Sequence, residues 1–333
     1  MSNTSLDHPD PDPVLHPLEA YKIKSLPPNA YYIPSFLTPT ESTTLLSKIS
    51  KHPWTTLTHR RLQPHPAPLT PSGHLLTTKS LPEFLVTPVV DRILSLSFTS
   101  SPSSSPSSSS LVSSSTSESN DSNSKNIGTK TTEGIFTKSP HSRPNHVLIN
   151  EYPSGTGISP HEDGGAYFPV VCTVSLGAHI ILQVTPKKKM VIDHNNNNSP
   201  KEEEEEEEEK EDGEKESSET ITDDNNYTNK NDENNNTQTT VYKIFQEPNS
   251  LLITTDDMYT EHLHGIEAVK VDEGLTDQTV ANWELLSEET RRRIVEGGGK
   301  VEREDVRISL TYRDVLKVKD AGKLFGGRAL GKR

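Results

Sequence analysis

No pair of cysteines exists in this chain. Cys172 stands alone, which excludes an internal disulfide and a cysteine-based zinc cluster and fits a reducing compartment. Aromatic residues make up only 5% of the chain, so no broad surface for stacking on nucleobases is visible. Hydrophobic residues are scarce too, at 29%, and much of the length must therefore lie outside a packed core. No run approaches the ~20 apolar residues that cross a bilayer as a helix, and the polar, Pro-rich start MSNTSLDHPDPDP is not a signal peptide. The expectation is a soluble protein of the nucleus or cytoplasm, with no membrane attachment.

Positive charge looks deficient as well, with a net charge of −14, but the deficit is local. Residues 201–233 carry 17 acidic and 4 basic side chains, a net of −13, so the rest of the chain is close to neutral. The low isoelectric point therefore does not argue against a nucleic-acid partner elsewhere. That acidic, Asn-rich stretch, about 186–240, and a Ser-rich stretch, about 99–132, lack the apolar content to offset the entropy of ordering. Both are expected to be disordered insertions, as is the N-terminus over 1–20. Residues 21–333 then form a single domain around them. The acidic insertion is a candidate contact for a basic protein partner.

Three blocks remain. In FLTPTESTTLLSKI, Thr38 can cap a helix that opens on Pro39, Glu41 completes a capping box, and Leu45, Leu46 and Ile49 form the buried stripe. Ser80 with Glu83 predicts a second helix start, with Val89, Val90, Ile93 and Leu94 inward. The segments HVLINEY, VVCTVSLGAHIILQV, VYKIFQ, SLLITT and VRISLTYRDV read as strands. SEETRRRIVEGGG reads as a short helix capped by Ser287 and stopped at Gly297. Short strands preceded by helices predict a mainly β fold, a sandwich or jelly roll with a helical flank.

The chemistry begins at ISPHEDGG. In extended backbone, residues two apart share a face, so His161 and Asp163 can reach one point while Glu162 turns away. Two ligands need a third, and HLHGIEAV offers His264, with His262 as a rival of the same parity. Two imidazoles and one carboxylate on one side of an ion suit a non-haem Fe(II) oxygenase, and similar sets hold zinc. His264 follows Asp163 by 101 residues, of which about 55 belong to the insertion, leaving roughly 46, a few strands' worth.

Further along, Arg307, Ser309, Thr311 and Arg313 share one face of a strand, and Ile308, Leu310 and Tyr312 the other. Arginines on a half-buried sheet need an anion, and the planar guanidinium suits a carboxylate. Asn150 and Tyr152, on one face of HVLINEY, could donate to the same anion. The order N-x-Y, H-x-D, H-G-I, R-x5-R is far more specific than any of its parts.

Here the sequence resembles the AlkB family of Fe(II)- and 2-oxoglutarate-dependent dioxygenases, and within it most closely the sixth AlkB-homologue subfamily of eukaryotes. The resemblance rests on NHVLINEYPSGTGISPHEDGGAYFPVVCTVSLGAHIIL, SLLITTDDMYTEHLHGIEAVKVDE and RISLTYRDV, with AYYIPSFLTPTE and WTTLTHRRLQ upstream. It implies a double-stranded β-helix (jelly roll) with N-terminal helices and lid loops. It implies that His161, Asp163 and His264 hold Fe(II), which selects His264 over His262. It implies that Arg307 binds the distal carboxylate of 2-oxoglutarate with help from Asn150, Tyr152 and Ser309, and that Arg313 contacts the cosubstrate or Asp163. O2 is the co-reactant. A C–H bond, often of an N-methyl group, is hydroxylated, and succinate, CO2 and formaldehyde are released.

For the substrate, the resemblance implies alkylated nucleic acid, DNA or RNA. Some repair members of the family carry charged base-reading residues just after H-x-D, where this chain has Gly164, Gly165 and Ala166. The HRRLQPHP loop falls at the substrate lid, making Arg60 and Arg61 candidates for phosphate contact, and Tyr167 a candidate for stacking. The alternatives are the same chemistry on a protein, or a non-catalytic module that recruits basic partners through the acidic insertion.

Overall fold

The β-branched runs become strands that weave between two sheets. A computed structural model describes residues 16–27, 29–99, 132–187 and 240–322. The strands that build and flank the site are β1 (Ala30–Ile33), β2 (Thr55–Thr56), β3 (Arg61–His65), β4 (Leu75–Thr77), β5 (His146–Tyr152), β6 (Ile158–His161), β7 (Val170–Gly177), β8 (Ile180–Pro186), β9 (Tyr242–Gln246), β10 (Leu251–Thr255), β11 (His262–Ile266), β12 (Arg307–Arg313) and β13 (Val318–Asp320). The larger sheet has seven strands in the order β1-β10-β7-β12-β5-β3-β2, and a four-stranded sheet runs β9-β8-β11-β6. From β5 to β12 the chain crosses between the two sheets at nearly every connection. The fold is thus mainly β with flanking helices.

The central strand β12 shows why the site lies where it does. Its period-two pattern sends Leu310 and Tyr312 to a fully buried apolar face, packed with Ile149, Val174, Leu45 and Ile93. The opposite face carries Arg307, Ser309, Thr311 and Arg313. The sequence suggested a half-buried sheet, yet Arg307 is only 3% and Arg313 only 5% exposed. Both faces are covered, so the arginine face opens into an enclosed hollow.

The helices follow their caps. Helix α1 (Pro39–Ile49) opens with the complete capping box of Thr38 and Glu41. Its Leu45 and Ile49 are buried, and Leu46 packs against the same cluster. Helix α2 (Glu288–Glu296) is capped by the Ser287 side chain, which accepts from the Thr290 amide, and it ends at Gly297. The start expected at Ser80 is corrected. The first turn covers only Glu83–Leu85, no side chain caps it, and Thr87 leaves helical space (φ −99°, ψ 123°) before a new turn over Asp91–Leu94. Pro88 accounts for the break, since a residue before proline is pushed towards extended backbone. Val89, Val90 and Ile93 still reach the core.

The expected disordered N-terminus also needs a shorter boundary. Leu18 is fully buried in the main cluster, so the ordered chain begins before residue 21. Residues 1–15 and most of the two expected insertions lie outside the described residues. The root of the acidic segment is clear, however. β8 and β9 are antiparallel neighbours with Val184 opposite Tyr242, so the segment joins the ends of a hairpin and need not disturb either sheet. No helix among the described residues is long and apolar enough to cross a membrane.

A buried ion pair braces the far side of the small sheet. Arg303 donates to both oxygens of Asp272 at 2.8 and 2.6 Å, and His179 Nε2 lies 3.2 Å from the same carboxylate. Burial pushes the Asp272 carboxyl up, but hydrogen bonds from Arg303 and His179 outweigh it and hold the group below its usual range. A depressed folded pKa contributes stability above the unfolded value, about 3.9, and that contribution disappears as pH falls through the folded value. Asp272→Ala leaves Arg303 buried without its anion, and the expected loss is about 3–5 kcal/mol, read as a lower urea midpoint at neutral pH.

Candidate metal and cosubstrate site

His161 closes β6, and His264 lies on β11 directly opposite it in antiparallel register. Their rings are 4.4 Å apart between centroids. Asp163 follows two residues after His161, and its Oδ1 lies 4.0 Å from His264 Nε2. Ligand atoms of His161, Asp163 and His264 all fall within 4.8 Å of one another. His262 has the same strand parity but pairs with Pro186 and spends Nδ1 on the Asp257 carbonyl at 3.0 Å. Register, not parity, separates the two histidines.

The surrounding backbone explains the local sequence. Gly265 sits where a Cβ would come within 3.0 Å of Pro160 N and 3.1 Å of Ile158 O, so the glycine lets β11 approach β6 and brings the two rings together. Gly164 takes φ +76°, a left-handed turn open to glycine, immediately after Asp163. Its carbonyl accepts from Tyr259 Oη at 2.5 Å.

The donor set suits a divalent transition metal. His161 Nδ1 faces the Ser159 carbonyl at 2.8 Å. A carbonyl only accepts, so Nδ1 carries the proton and Nε2 keeps its lone pair for a metal. Burial lowers His264 to about 4, with Asp163 acting against it and His161 and Arg313 with it, so this imidazole is neutral at physiological pH, as a ligand must be. Burial pushes the Asp163 carboxyl up, but Arg313, His264 and His161 together leave it below its usual range. Arg313 Nη2 donates to Asp163 Oδ1 at 2.5 Å and lies over the Tyr167 ring at 4.7 Å.

A cavity of about 320 Å³ connects this triad to Arg307. Arg307 Nη2 donates to Ser175 Oγ at 3.0 Å and Gln246 Oε1 at 2.9 Å, while its buried Nε has no partner. Burial lowers the guanidinium to about 10. Among the described residues no carboxylate pairs with it. Tyr152 stands directly across the ladder from Arg307, and Asn150 from Ser309, and the Arg307 guanidinium lies 5.6 Å from the Tyr152 ring. A buried cation with an unpartnered Nε, flanked by a phenol, an amide and a hydroxyl, has the donor chemistry that a carboxylate requires. The site therefore fits an iron at one end and a dicarboxylate cosubstrate along its length.

HRRLQPHP is not a loop, since Arg61–His65 is β3 and pairs with β5 in the larger sheet, and its two arginines part company. Arg60 is half-buried, lines the cavity, and its buried Nε has no partner. Arg61 does not line it. Arg61 is bound bidentately to Glu151 at 2.6 and 2.7 Å and lies over Trp54, so two of its guanidinium nitrogens are already engaged. Sequence reasoning missed Ser175, Gln246 and Tyr259. Ser175 and Gln246 had left a signal, as polar residues inside the apolar strands VVCTVSLG and YKIFQ. Size alone does not find the site: a larger hollow of about 720 Å³, lined by Lys24, Thr279 and Trp283 among others, contains none of the triad.

Several known proteins are similar to this chain. The sequence profile of the 2OG-Fe(II) oxygenase superfamily matches residues 29–313. A protein of Danio rerio called "Probable RNA/DNA demethylase ALKBH6" is 27% identical over 312 residues, which span 93% of this chain and 95% of that protein. Two solved structures are more distant. "The structure of OsALKBH1" shows 13% identity over 87% of this chain and 98% of that one, with a TM-score of 0.42. A 2OG-Fe(II) oxygenase family oxidoreductase from Burkholderia pseudomallei shows 8% identity over 87% and 89%, with a TM-score of 0.39.

Proposed function

Because the chain belongs to the 2OG-Fe(II) oxygenase superfamily, we propose that it removes N-alkyl groups from nucleic acid. It is an AlkB-like dioxygenase that uses Fe(II), 2-oxoglutarate and O2. The fold is then a double-stranded β-helix, a single oxygenase domain carrying two insertions. The observation that carries the substrate reading is Arg60: a cation with an unpartnered Nε at the wall of the cavity that holds the triad. The naming of the Danio rerio relative as an RNA/DNA demethylase supports the same class.

His161, Asp163 and His264 hold the iron in this scheme. Bound there, Fe(II) supplies the coupling of 2-oxoglutarate decarboxylation to hydroxylation of a substrate C–H bond. The rest is positioning by the chain. Arg307 takes the distal carboxylate through its free edge, and Ser175 and Gln246 keep the guanidinium in place. Asn150, Tyr152 and Ser309 hydrogen-bond the same end. Arg313 fixes Asp163 in its ligating orientation, and Tyr259 fixes the turn behind it. Val171, Leu252 and Met258 make the wall between the two ends apolar and exclude water. The balance is N-methyl substrate, 2-oxoglutarate and O2 giving N–H substrate, formaldehyde, succinate and CO2. Arg60 and Tyr167 are the substrate contacts.

The test is the full chain with Fe(II), ascorbate and 2-oxoglutarate, supplied with oligonucleotides carrying N-methylated bases. Succinate should rise above the substrate-free rate, with formaldehyde formed in equal amount. A rise with N-methylated peptides and none with any oligonucleotide would replace nucleic acid by protein.

A further inference from the structure

A second feature lies beside the loop that carries Asp163. Residues Ser72, Gly73, Gly165, Ala166, Leu316 and Lys317 enclose a shallow depression of about 190 Å³. Its floor is poor in side chains. A Cβ on Gly165 would meet nothing within 4 Å, and one on Gly73 would sit 3.1 Å from Ala166 Cβ. The depression is tied to the site. Gly165 is two residues past Asp163, the Leu316 amide donates to the Ala166 carbonyl at 3.0 Å, and Tyr167 bridges to Val315. On its other side the segment is held by β4, through the Leu75 amide on the Lys317 carbonyl at 2.9 Å and the parallel pairing of β13.

The chain leaves this depression through alternating apolar and cationic side chains. Leu316 and Val318 are each 39% exposed and are two of the four large hydrophobics exposed among the described residues. Lys317 and Lys319 alternate with them, exposed, and neither has an ion-pair partner among the described residues. The pairing of Val318 with Leu75 and of Lys319 with Leu76 brings both lysines to the His74 end of β4, and burial and then the charges of Lys319 and Lys317 hold the His74 imidazole below its ordinary range. The nearest carboxylate in sequence, Asp320, is engaged by the Gly322 amide at 2.8 Å.

We propose that this depression with Lys317 and Lys319 is the docking surface for a single-stranded nucleic acid, holding the sugar-phosphate backbone next to the nucleotide that enters the cavity. Two lysines two residues apart on a strand are about 6.6 Å apart. In B-form geometry each strand carries one charge per about 3.4 Å of axis, so lysines at this spacing span about two phosphates. The trough is too small for a helix or a folded protein surface, and its bare glycine floor lets a backbone lie close to the iron loop. This inference rests on the nucleic-acid reading above.

The experiment is fluorescence anisotropy of labelled, mixed-sequence single strands, one deoxyribo and one ribo, against the full chain over a salt series. In Lys317→Glu/Lys319→Glu the affinity should fall about tenfold or more at moderate salt, and the log–log salt slope should shrink by about 1.4, the share of two phosphate contacts. Lys317→Arg/Lys319→Arg should keep both affinity and slope, which separates charge from misfolding. Unchanged affinity and slope in the Glu pair, or no binding by the wild-type chain, overturns the surface. Lysine-dependent binding with no demethylation of any N-methylated strand would keep the surface and overturn the demethylase reading. Demethylation with lysine-independent binding would do the reverse.

Discussion

Arg307→Met is expected to lower 2-oxoglutarate affinity about a hundredfold or more while leaving the apo protein as stable as before, or more stable. The affinity loss follows from removing one partner of a buried charge-assisted pair, which costs about 2–5 kcal/mol. The stability result has the opposite cause. Arg307 is buried, with no anion beside it among the described residues and with Nε unpartnered, so desolvation of its charge opposes folding of the ligand-free protein. Methionine has comparable length and no charge to desolvate. It leaves little unsatisfied behind it, because Ser175 Oγ already donates to Gln246 Oε1 at 3.0 Å. Titration calorimetry with Mn(II) and 2-oxoglutarate reads the first quantity and a urea midpoint the second. An unchanged Kd would remove Arg307 from the cosubstrate site. Lysine is no substitute here, since it lacks the planar fork that meets a carboxylate at two points.

Asp163→Ala should behave in the opposite way in the absence of ligands. Arg313 is as deeply buried as Arg307, but it has its anion in Asp163. Deleting that carboxylate strands a buried guanidinium, and the expected cost is about 3–5 kcal/mol, together with loss of measurable metal binding. Two arginines six residues apart on one strand thus give opposite stability effects, and the difference is the presence of a carboxylate beside one and not the other. Equal destabilisation by Arg307→Met and Asp163→Ala would show that Arg307 is a structural cation and not a receptor.

Much of this was legible in the sequence, for identifiable reasons. Capping boxes are local, so helix α1 could be placed from Thr38, Pro39 and Glu41 alone. The strands announced themselves by Val, Ile and Thr, and the alternation in RISLTYR separated the arginine face from the apolar one. Proline and register set the limits. Pro88 breaks the helix that Ser80 and Glu83 suggest, because one residue's steric clash outweighs a cap two turns away. The parity of HLHGI allows either histidine; the family resemblance points to His264, and the cross-strand pairing with His161 gives the physical reason. Arg60 and Arg61 are alike in sequence. Glu151, ninety residues away, occupies one of them, and nothing local reveals it. Ser175 and Gln246 carried a signal that went unused, since a polar residue in a buried run needs a partner.

The most direct measurement is succinate formation by the purified full chain with 2-oxoglutarate and O2, with and without Fe(II), beside His161→Ala. The account predicts slow iron-dependent succinate from the wild-type chain even before a substrate is supplied, and none above background from His161→Ala. Equal succinate from both proteins, or none from the wild type under any supply of Fe(II) together with no binding of 2-oxoglutarate, would contradict an iron centre at His161, Asp163 and His264.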